Sequence, residues 1–352
     1  MKILIITNDF PPKKGGISSY INGFVENLDA ECIIYAPNWA EGPNVINAKS
    51  KFIFKNKQAI DEIKNIVLDR DIDCILHASS NPQFLLVSSL KKLNKPQFMI
   101  VHGAEFNILN SIPFVKRYLQ LSFDNLDKIF TVSFFTQRKL QSLTSTEVIL
   151  IGAGVEKNNF VKNYFKEGRI VIGVSSRFVS RKKIDWVIDV LHNLNQDGYE
   201  SELKIFGYGK LEDYYQKLSE ISSQPIQFLK DNHTDSIANF YKDIDLFVMP
   251  AKSRLLGKEF EGLGLVYLEA GSYGLPVLVG TSGGAFETVL PGKTGFIVSS
   301  KAEIYEAVKY FITNPHEIER FGLASKNFVQ SNFSWNINIE KFKKSLLEVL
   351  GS

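Results

Sequence analysis

Residues 246–280 read LFVMPAKSRLLGKEFEGLGLVYLEAGSYGLPVLVG and decide the fold. The apolar runs 246–249 and 277–280 have the length and composition of buried strands, and a helical segment begins between them at about Leu265. A strand, a helix and a second strand in this order form the unit from which parallel sheets are built. The stretch therefore predicts an α/β domain.

The same alternation extends along the whole chain. Near-continuous apolar strands are typical of parallel sheets that helices cover on both faces. The first half contains the runs KILIIT, CIIYA, CILHA, QFMIVH, KIFTV and EVILI, and the second half adds RIVIGVSS, ELKIFG, IQFL and GFIV. We therefore expect two doubly wound domains, followed by helices from Ile304 and from Trp335.

The length of the chain also favours two domains, because 352 residues exceed what one core usually supports. The turn at Gly152–Gly154 marks the boundary. We predict an N-terminal domain over 1–155 and a C-terminal domain over 156–352, whose last helices are candidates for packing back on the first domain.

Composition excludes several classes of protein. With 44% hydrophobic and 22% charged residues, the chain is neither disordered nor collagen-like. Cys32 and Cys74 lie in apolar runs, where a thiol behaves as a small hydrophobe rather than a redox or metal ligand. The N-terminal MKILIIT is too short for a signal peptide and no stretch has the length of a membrane span, so we expect a cytoplasmic protein.

Positive charge is concentrated in the first half of the chain. Residues 1–153 carry 17 Lys and Arg against 14 Asp and Glu, whereas the rest carries 24 of each. Scattered solvated lysines explain this excess best, and nothing indicates a nucleic-acid partner. A helix with Phe114, Lys116, Arg117 and Tyr118 fits either a peripheral contact with an anionic membrane or an ordinary amphipathic helix, and both interpretations stay open.

Ligands of such sheets bind beyond the carboxyl ends of the strands, so the loops there are the candidate sites. In NDFPPKKGGISSY (8–20), the glycines Gly15 and Gly16 would let backbone N–H groups approach an anion, although a plain turn fits equally well. Asp9 either contacts a hydroxyl-bearing ligand or caps that turn, and the turn is favoured. His102 ends another strand, where a structural role is the more frequent one.

In the second half, Arg177 ends a strand and Arg181, Lys182 and Lys183 follow within one turn. Such a cluster suits a diphosphate, because Arg can donate to two oxygens while Lys supplies a point charge. The alternative is a solvated charge cluster at the start of a helix.

Glu261 and Glu269 are the most informative carboxylates. Eight residues of helix span about 12 Å, so the two cannot share one metal ion or one proton. We expect them to contact separate parts of one extended ligand, with the amides of Gly262–Gly264 binding hydroxyls or phosphate. The alternative is that both glutamates lie on the surface, where the helix dipole stabilises their negative charges near the helix N-terminus.

Two Asp-x-Asp pairs, at 71–73 and 243–245, superficially match a metal–diphosphate signature. A metal-binding pair should follow a strand, but both pairs precede one. The histidines lack the spacing of a zinc site. We predict no metal and no other cofactor.

Taken together, these segments resemble the family 4 retaining glycosyltransferases of GT-B fold, in which two Rossmann-like domains face each other across a cleft. They are most similar to GDP-mannose-dependent phosphatidylinositol mannoside mannosyltransferases. The resemblance covers nearly the whole chain and rests on NDFPPKKGGISSY, HGAE, SRFVSRKK, FGYGKLEDYYQKL, FLKDNHTDSIANFYKDIDLFVMPA and EGLGLVYLEAGSYGLPVLVGTSGGAFETV.

The resemblance implies a role for each matched position. Backbone at Gly16 and the side chains of Arg177 and Lys182 would hold the diphosphate, and Glu269 the ribose. The sugar hydroxyls would contact Glu261 and the amides of Gly262, Leu263, Gly264 and Leu265. The base would lie against Leu229, Lys230 and Asp231. His102 would be a catalytic-site residue near the 6-hydroxyl of the sugar, on the acceptor side, and Asp9 would contact the acceptor.

The resemblance further implies transfer of mannose from GDP-mannose, with retention, to a lipid-linked or glycan acceptor. HGAE carries Ala104 where many members have a bulkier polar residue, so the acceptor stays open. A UDP-sugar donor and a non-catalytic nucleotide-sugar-binding protein are the alternatives. An epimerase, a phosphorylase and an NAD-dependent dehydrogenase are disfavoured, the last because no GxGxxG follows the first strand of either domain.

Overall fold

The computed structural model describes residues 1–107, 110, 112–164, 169–222, 224–230 and 236–351. These residues divide into two compact units. The first comprises Met1–Gly154 together with the returning segment from Trp335, and the second comprises Val155–Ser334.

In the part of the first unit that the structure describes, a seven-stranded parallel sheet forms the centre. Its strands are β1 (Lys2–Ile6), β2 (Glu31–Ala36), β3 (Val45–Asn47), β4 (Cys74–His77), β5 (Gln97–Val101), β6 (Lys128–Thr131) and β7 (Val148–Leu150), in the order β3-β2-β1-β4-β5-β6-β7. Its helices are α1 (Gly16–Asn27), α2 (Lys57–Asp69), α3 (Phe84–Leu90), α4 (Ala104–Asn107), α5 (Pro113–Phe123), α6 (Phe134–Gln141) and the C-terminal α13 (Trp335–Leu350). Every residue of β4 and β5 is buried, as expected for strands covered on both faces.

The described part of the second unit contains a six-stranded parallel sheet. Its strands are β8 (Ile170–Arg177), β9 (Ser201–Tyr208), β10 (Ile226–Leu229), β11 (Leu246–Met249), β12 (Val277–Gly280) and β13 (Gly295–Val298), in the order β10-β9-β8-β11-β12-β13. Its helices are α7 (Ile184–Gln196), α8 (Glu212–Ser222), α9 (Ile237–Asp243), α10 (Leu265–Ser272), α11 (Lys301–Thr313) and α12 (His316–Asn332).

The strand order of each sheet reverses next to its first strand. In the second unit, β8 pairs on one side with β9 and on the other with β11. The loops that leave β8 and β11 therefore start side by side at the carboxyl edge, which is where doubly wound sheets bind ligands. This topology brings the predicted basic cluster next to the predicted glutamates.

Every strand predicted from the sequence is present, and β3 is an additional strand that was not predicted. It has only three residues, VIN, none of them buried, and is too short to form a recognisable apolar run. It extends the edge of the sheet by pairing in parallel with β2, where Ile34 lies opposite Val45.

The predicted domain ranges are 1–155 and 156–352, with the last helices as candidates for packing back on the first domain. The structure places α13 in the first unit, because its aromatic side chains pack on α1. The Trp335 ring lies 5.4 Å from that of Tyr20, and the Phe342 ring 4.9 Å from that of Phe24. Gly23 allows this packing, since a Cβ there would lie 2.6 Å from the Trp335 ring.

Candidate functional site in the second unit

The loop after β8 turns two basic side chains inward. Ser180–Lys182 forms a 3-10 turn, and Lys183, at φ 55°, enters α7 in the left-handed region. Arg181 and Lys182 are buried, whereas Arg177, at the end of β8, is exposed. The charge cluster seen in the sequence therefore divides into buried and exposed members.

The loop after β11 brings Glu261 to the same place. Its N–H donates to Ser282 Oγ at 3.0 Å, and its carbonyl accepts from the N–H of Gly284 at 2.9 Å. The adjacent Gly283 has φ 57° and packs so tightly on the Glu261 carbonyl that a Cβ would collide with it. The loop between β12 and β13 thus fixes the backbone of Glu261.

The side chain of Glu261 is paired with both buried cations. Its Oε2 accepts from Lys182 Nζ at 2.8 Å and from Arg181 Nη1. Arg181 Nε also lies 3.6 Å from Glu259 Oε1. These contacts connect the two loops through an ion-pair cluster that is largely shielded from solvent.

Burial and charge act in opposite directions on this cluster. Burial favours the neutral acid, but Lys182 and Arg181 outweigh it and lower the pKa of Glu261 to about 2. Burial lowers the pKa of Lys182 to about 8, although Glu261 opposes that shift. At neutral pH, Glu261 is ionised and Lys182 is mostly protonated.

The start of α10 presents the predicted amides. Gly264 precedes the helix at φ 92°, and Leu265 is its first residue. A Cβ on Gly264 would lie 2.6 Å from the Tyr267 ring, so both the conformation and the space require glycine. The Gly262–Leu265 segment therefore approaches the positive end of the helix dipole.

Glu269 lies farther along α10 and has a different partner. It accepts a hydrogen bond from Tyr241 Oη at 2.8 Å, and burial raises its pKa. Glu261 and Glu269 thus have separate environments and opposite pKa shifts, in agreement with the view that they do not share one proton. Lys230, predicted to lie by the base, is exposed and pairs with Glu212 at 2.5 Å, while Asp231 lies outside the described residues.

Three further predicted residues, His102, Asp9 and Gly16, belong to the first unit. His102 Nε2 donates to the Ala78 carbonyl at 2.8 Å, and its ring is nearly perpendicular to that of Tyr20, with the ring centroids 4.9 Å apart. Asp9 pairs with Lys13 at 2.5 Å. Gly16 is exposed at the start of α1, and open space lies beside the position of its missing Cβ.

The Asp-x-Asp pairs have structural contacts at the amino ends of strands. Asp73 accepts from the N–H of Lys2 at 2.7 Å, and Asp245 accepts from the N–H of Val171 at 2.9 Å. Each therefore joins neighbouring strands at the amino edge of its own sheet, which in the second unit is the edge opposite to the candidate site. Over the described ranges, no three His, Cys, Asp or Glu side chains group as metal ligands.

Arg181 is the main residue that the sequence did not single out. In the sequence, Arg181 is one of several neighbouring cations. In the structure, the 3-10 turn directs Arg181 towards Glu261, whereas Arg177 faces solvent. Tyr241 and Ser282 were also missed. Their contacts with Glu269 and Glu261 come from distant parts of the chain, and no local pattern signals them.

Residues 155–328 match the family model described as glycosyl transferases group 1. The second unit is a group 1 glycosyltransferase domain. The glycosyltransferase is 28% identical over 363 residues to the GDP-mannose-dependent alpha-(1-6)-phosphatidylinositol monomannoside mannosyltransferase of Mycolicibacterium smegmatis, with 95% of each chain covered. A Corynebacterium glutamicum relative, named a GDP-mannose-dependent monoacylated alpha-(1-6)-phosphatidylinositol monomannoside mannosyltransferase, is 28% identical over 373 residues, covering 98% of this chain and 97% of the relative. The predicted membership of a glycosyltransferase family is confirmed, as a group 1 domain whose full-length relatives are named mannosyltransferases.

Solved structures show the same fold. Sucrose-phosphate synthase from Thermosynechococcus elongatus matches with a TM-score of 0.81 at 15% identity, covering 99% of each chain. Anabaena Alr3699/HepE, solved with UDP-glucose, matches with a TM-score of 0.78 at 16% identity, covering 98% of this glycosyltransferase and 99% of HepE. The predicted GT-B class, with two parallel α/β units, is confirmed.

Proposed function

We propose that this glycosyltransferase transfers mannose from GDP-mannose, with retention of configuration, to a hydroxyl of a lipid-linked or glycan acceptor. The observation that carries the proposal is the cluster of Arg181, Lys182 and Glu261 beside the start of α10, in which Lys182 offers a cation for a diphosphate and Glu261 a carboxylate for sugar hydroxyls. The GDP-mannose donor is taken from the names of the two relatives above.

In the proposed reaction, the acceptor oxygen forms a bond to the anomeric carbon on the face from which the diphosphate departs. The bond between the anomeric carbon and the diphosphate oxygen breaks, and the acceptor proton passes to the leaving diphosphate. Arg177 and Lys182 stabilise the negative charge that develops on that diphosphate.

The remaining roles follow the sequence resemblance. Glu261 and the amides of Gly262–Leu265 hold the sugar, Glu269 holds the ribose and Lys230 lies by the base. In the first unit, we assign His102 and Asp9 to the acceptor and the backbone of Gly16 to the diphosphate.

We also propose that no divalent metal takes part. The support is that Arg177 and Lys182 supply cationic groups at the strand edge, where a metal ion would otherwise neutralise the diphosphate, and that each Asp-x-Asp pair lies at the amino edge of its own sheet.

Thermal-shift and donor-hydrolysis assays over GDP- and UDP-sugars, each with and without EDTA, test this function. We expect GDP-mannose to raise the melting temperature and to be hydrolysed equally with EDTA. A UDP-sugar that alone stabilises the protein would support the second candidate, a UDP-sugar-dependent transferase, which the UDP-glucose complex of HepE favours. Binding without turnover of any donor would support the non-catalytic alternative.

A lipid-linked acceptor would require contact with a membrane surface, and the first unit offers a candidate. On α5, Phe114 is 92% exposed and is followed by the exposed Lys116 and Arg117. Lys55 donates to Tyr118 Oη on the same helix at 3.0 Å, next to the exposed Phe54. Cationic and aromatic side chains together suit an anionic bilayer. Over the described ranges, no helix has the length and apolar character needed to cross a membrane.

Flotation with vesicles containing anionic phospholipid tests this contact. We expect the wild-type protein to float and Phe114→Ala to float less, since one large apolar contact is removed. Leu68→Ala, at another exposed apolar position of the first unit, is the control. Absence of flotation, or equal loss in both variants, would contradict the membrane contact.

A further inference from the structure

Arg181 is buried beside the proposed donor-binding residues, but its contacts are with carboxylates. Its Nη1 donates to Glu261 Oε2, and its Nε lies 3.6 Å from Glu259 Oε1. Its backbone carbonyl accepts from the N–H of Lys252 at 2.8 Å. Arg181 is therefore attached to the loop after β11 through both its main chain and its side chain.

Lys182 shares with Arg181 the same oxygen of Glu261: its Nζ lies 2.8 Å from Glu261 Oε2. Lys182 is also the buried cation that the proposed diphosphate would attract, and an ammonium is a point charge that can change partners more easily than a forked guanidinium. If Lys182 turned to the diphosphate, Glu261 would lose one of its two cations. A buried carboxylate without a cation is strongly disfavoured.

The charges of the cluster permit this exchange. Arg181, Lys182 and Arg254 face the two carboxylates Glu259 and Glu261, which leaves one positive charge in excess. Arg181 can thus neutralise Glu261 while the charge of Lys182 goes to the ligand.

We propose that Arg181 is a positioning residue for Glu261: it keeps the carboxylate ionised and directed at the donor sugar while Lys182 exchanges Glu261 for the diphosphate. This inference rests on the proposed function. It assigns Arg181 to recognition of the sugar, through Glu261, and not to direct contact with the phosphates.

Calorimetric titration of two probes separates these roles. The probes are the nucleotide-sugar that the wild type binds in the donor screen and the matching nucleoside diphosphate. In Arg181→Gln we expect the affinity for the nucleotide-sugar to fall about tenfold, and that for the nucleoside diphosphate to fall as well, because Lys182 then stays paired with Glu261. In the Glu261→Gln background, where Lys182 is already released, Arg181→Gln should change the nucleoside-diphosphate affinity less than about threefold. A larger loss in that background would show direct phosphate contact and overturn the proposal.

A double-mutant cycle with Glu261→Gln provides the second measurement. If Arg181 acts through Glu261, adding Arg181→Gln to Glu261→Gln should cost little further affinity for the nucleotide-sugar, whereas additive losses would overturn the proposal. The double variant also removes the buried Glu261 charge that Arg181→Gln alone would leave with one cation fewer, so it can be measured even if Arg181→Gln alone does not fold.

Two further variants complete the test. Arg181→Lys should restore part of the affinity for the nucleotide-sugar. Lys217→Gln, which removes an exposed charge on α8, should change neither affinity. A wild type that binds no nucleotide-sugar would instead refute the proposed function itself.

Discussion

Lys182 shows how burial can tune a single residue for an anionic ligand. Its Nζ contacts Glu261 Oε2 and lies 3.4 Å from Met249 Sδ, in a place that favours the neutral amine. The cluster around Lys182 has one more positive charge than negative charges, and an incoming diphosphate would supply the negative charge that balances it. Protonation of Lys182 and binding of the diphosphate should therefore be linked.

The first prediction concerns the pH dependence of that binding. Since the pKa of Lys182 is lowered to about 8, the protonated form that attracts phosphate is present below this pH and is lost above it. We expect the affinity for the nucleoside diphosphate, measured by calorimetry from about pH 7 to 9.5, to fall by up to about tenfold per unit above pH 8. Lys182→Arg, which stays protonated, should flatten the profile, and a wild-type profile that is already flat would contradict the role of Lys182.

A residue of the candidate site could be predicted from the sequence where its neighbours along the chain form a recognisable pattern, and could not where its orientation depends on residues far away along the chain. Glu261, the amides before Leu265 and Lys182 could be found because they belong to short segments with recognisable spacing. The orientation of Arg181 could not, since it is set by contacts with Glu259 and Glu261 about 80 positions away along the chain.

At the scale of elements, the start of α10 depends on one glycine. Gly264 combines a left-handed conformation with close contact to the Tyr267 ring. Buried apolar strands such as β11 and β12 could be predicted because every residue is apolar or small, whereas β3 could not, because a short and half-exposed edge strand has no distinctive pattern.

The second prediction is that Gly264→Ala displaces the start of α10. The conformation alone should cost about 1 to 2 kcal/mol of unfolding free energy, and the collision with Tyr267 should add to it. Gly198→Ala is the matched control, because Gly198 has φ 83° and open space around its missing Cβ. Urea unfolding should show the larger loss for Gly264→Ala, and only that variant should lose affinity for the nucleotide-sugar. Equal losses would contradict a steric role.

At the scale of the whole molecule, the chain leaves the first unit after Gly154 and returns to it at Trp335. Trp335 packs against Gly23 and Gly154, and its ring contacts Tyr20. The helical spacing of α13 could be read from the sequence, and its packing back on the first unit is one candidate, but the choice between the two units could not be made, since an amphipathic helix fits many apolar surfaces.

The third prediction is that Trp335→Ala destabilises the first unit by about 3 to 5 kcal/mol, because a large buried ring leaves a cavity. Hydrogen exchange should show lower protection of α1 and unchanged protection of α7. Leu347→Ala, at an exposed position of α13, should have little effect. Equal loss of protection in both helices would contradict the assignment of α13 to the first unit alone.

The most direct test of the proposed activity is the release or transfer of mannose from GDP-mannose in the presence of EDTA, with wild-type protein and Lys182→Ala compared side by side. We predict turnover by the wild type that EDTA does not reduce, and a loss of at least about a hundredfold in Lys182→Ala, whose folded state is checked by its melting temperature. Undiminished turnover by Lys182→Ala, or abolition of wild-type turnover by EDTA, would contradict a metal-independent transferase that relies on this cation.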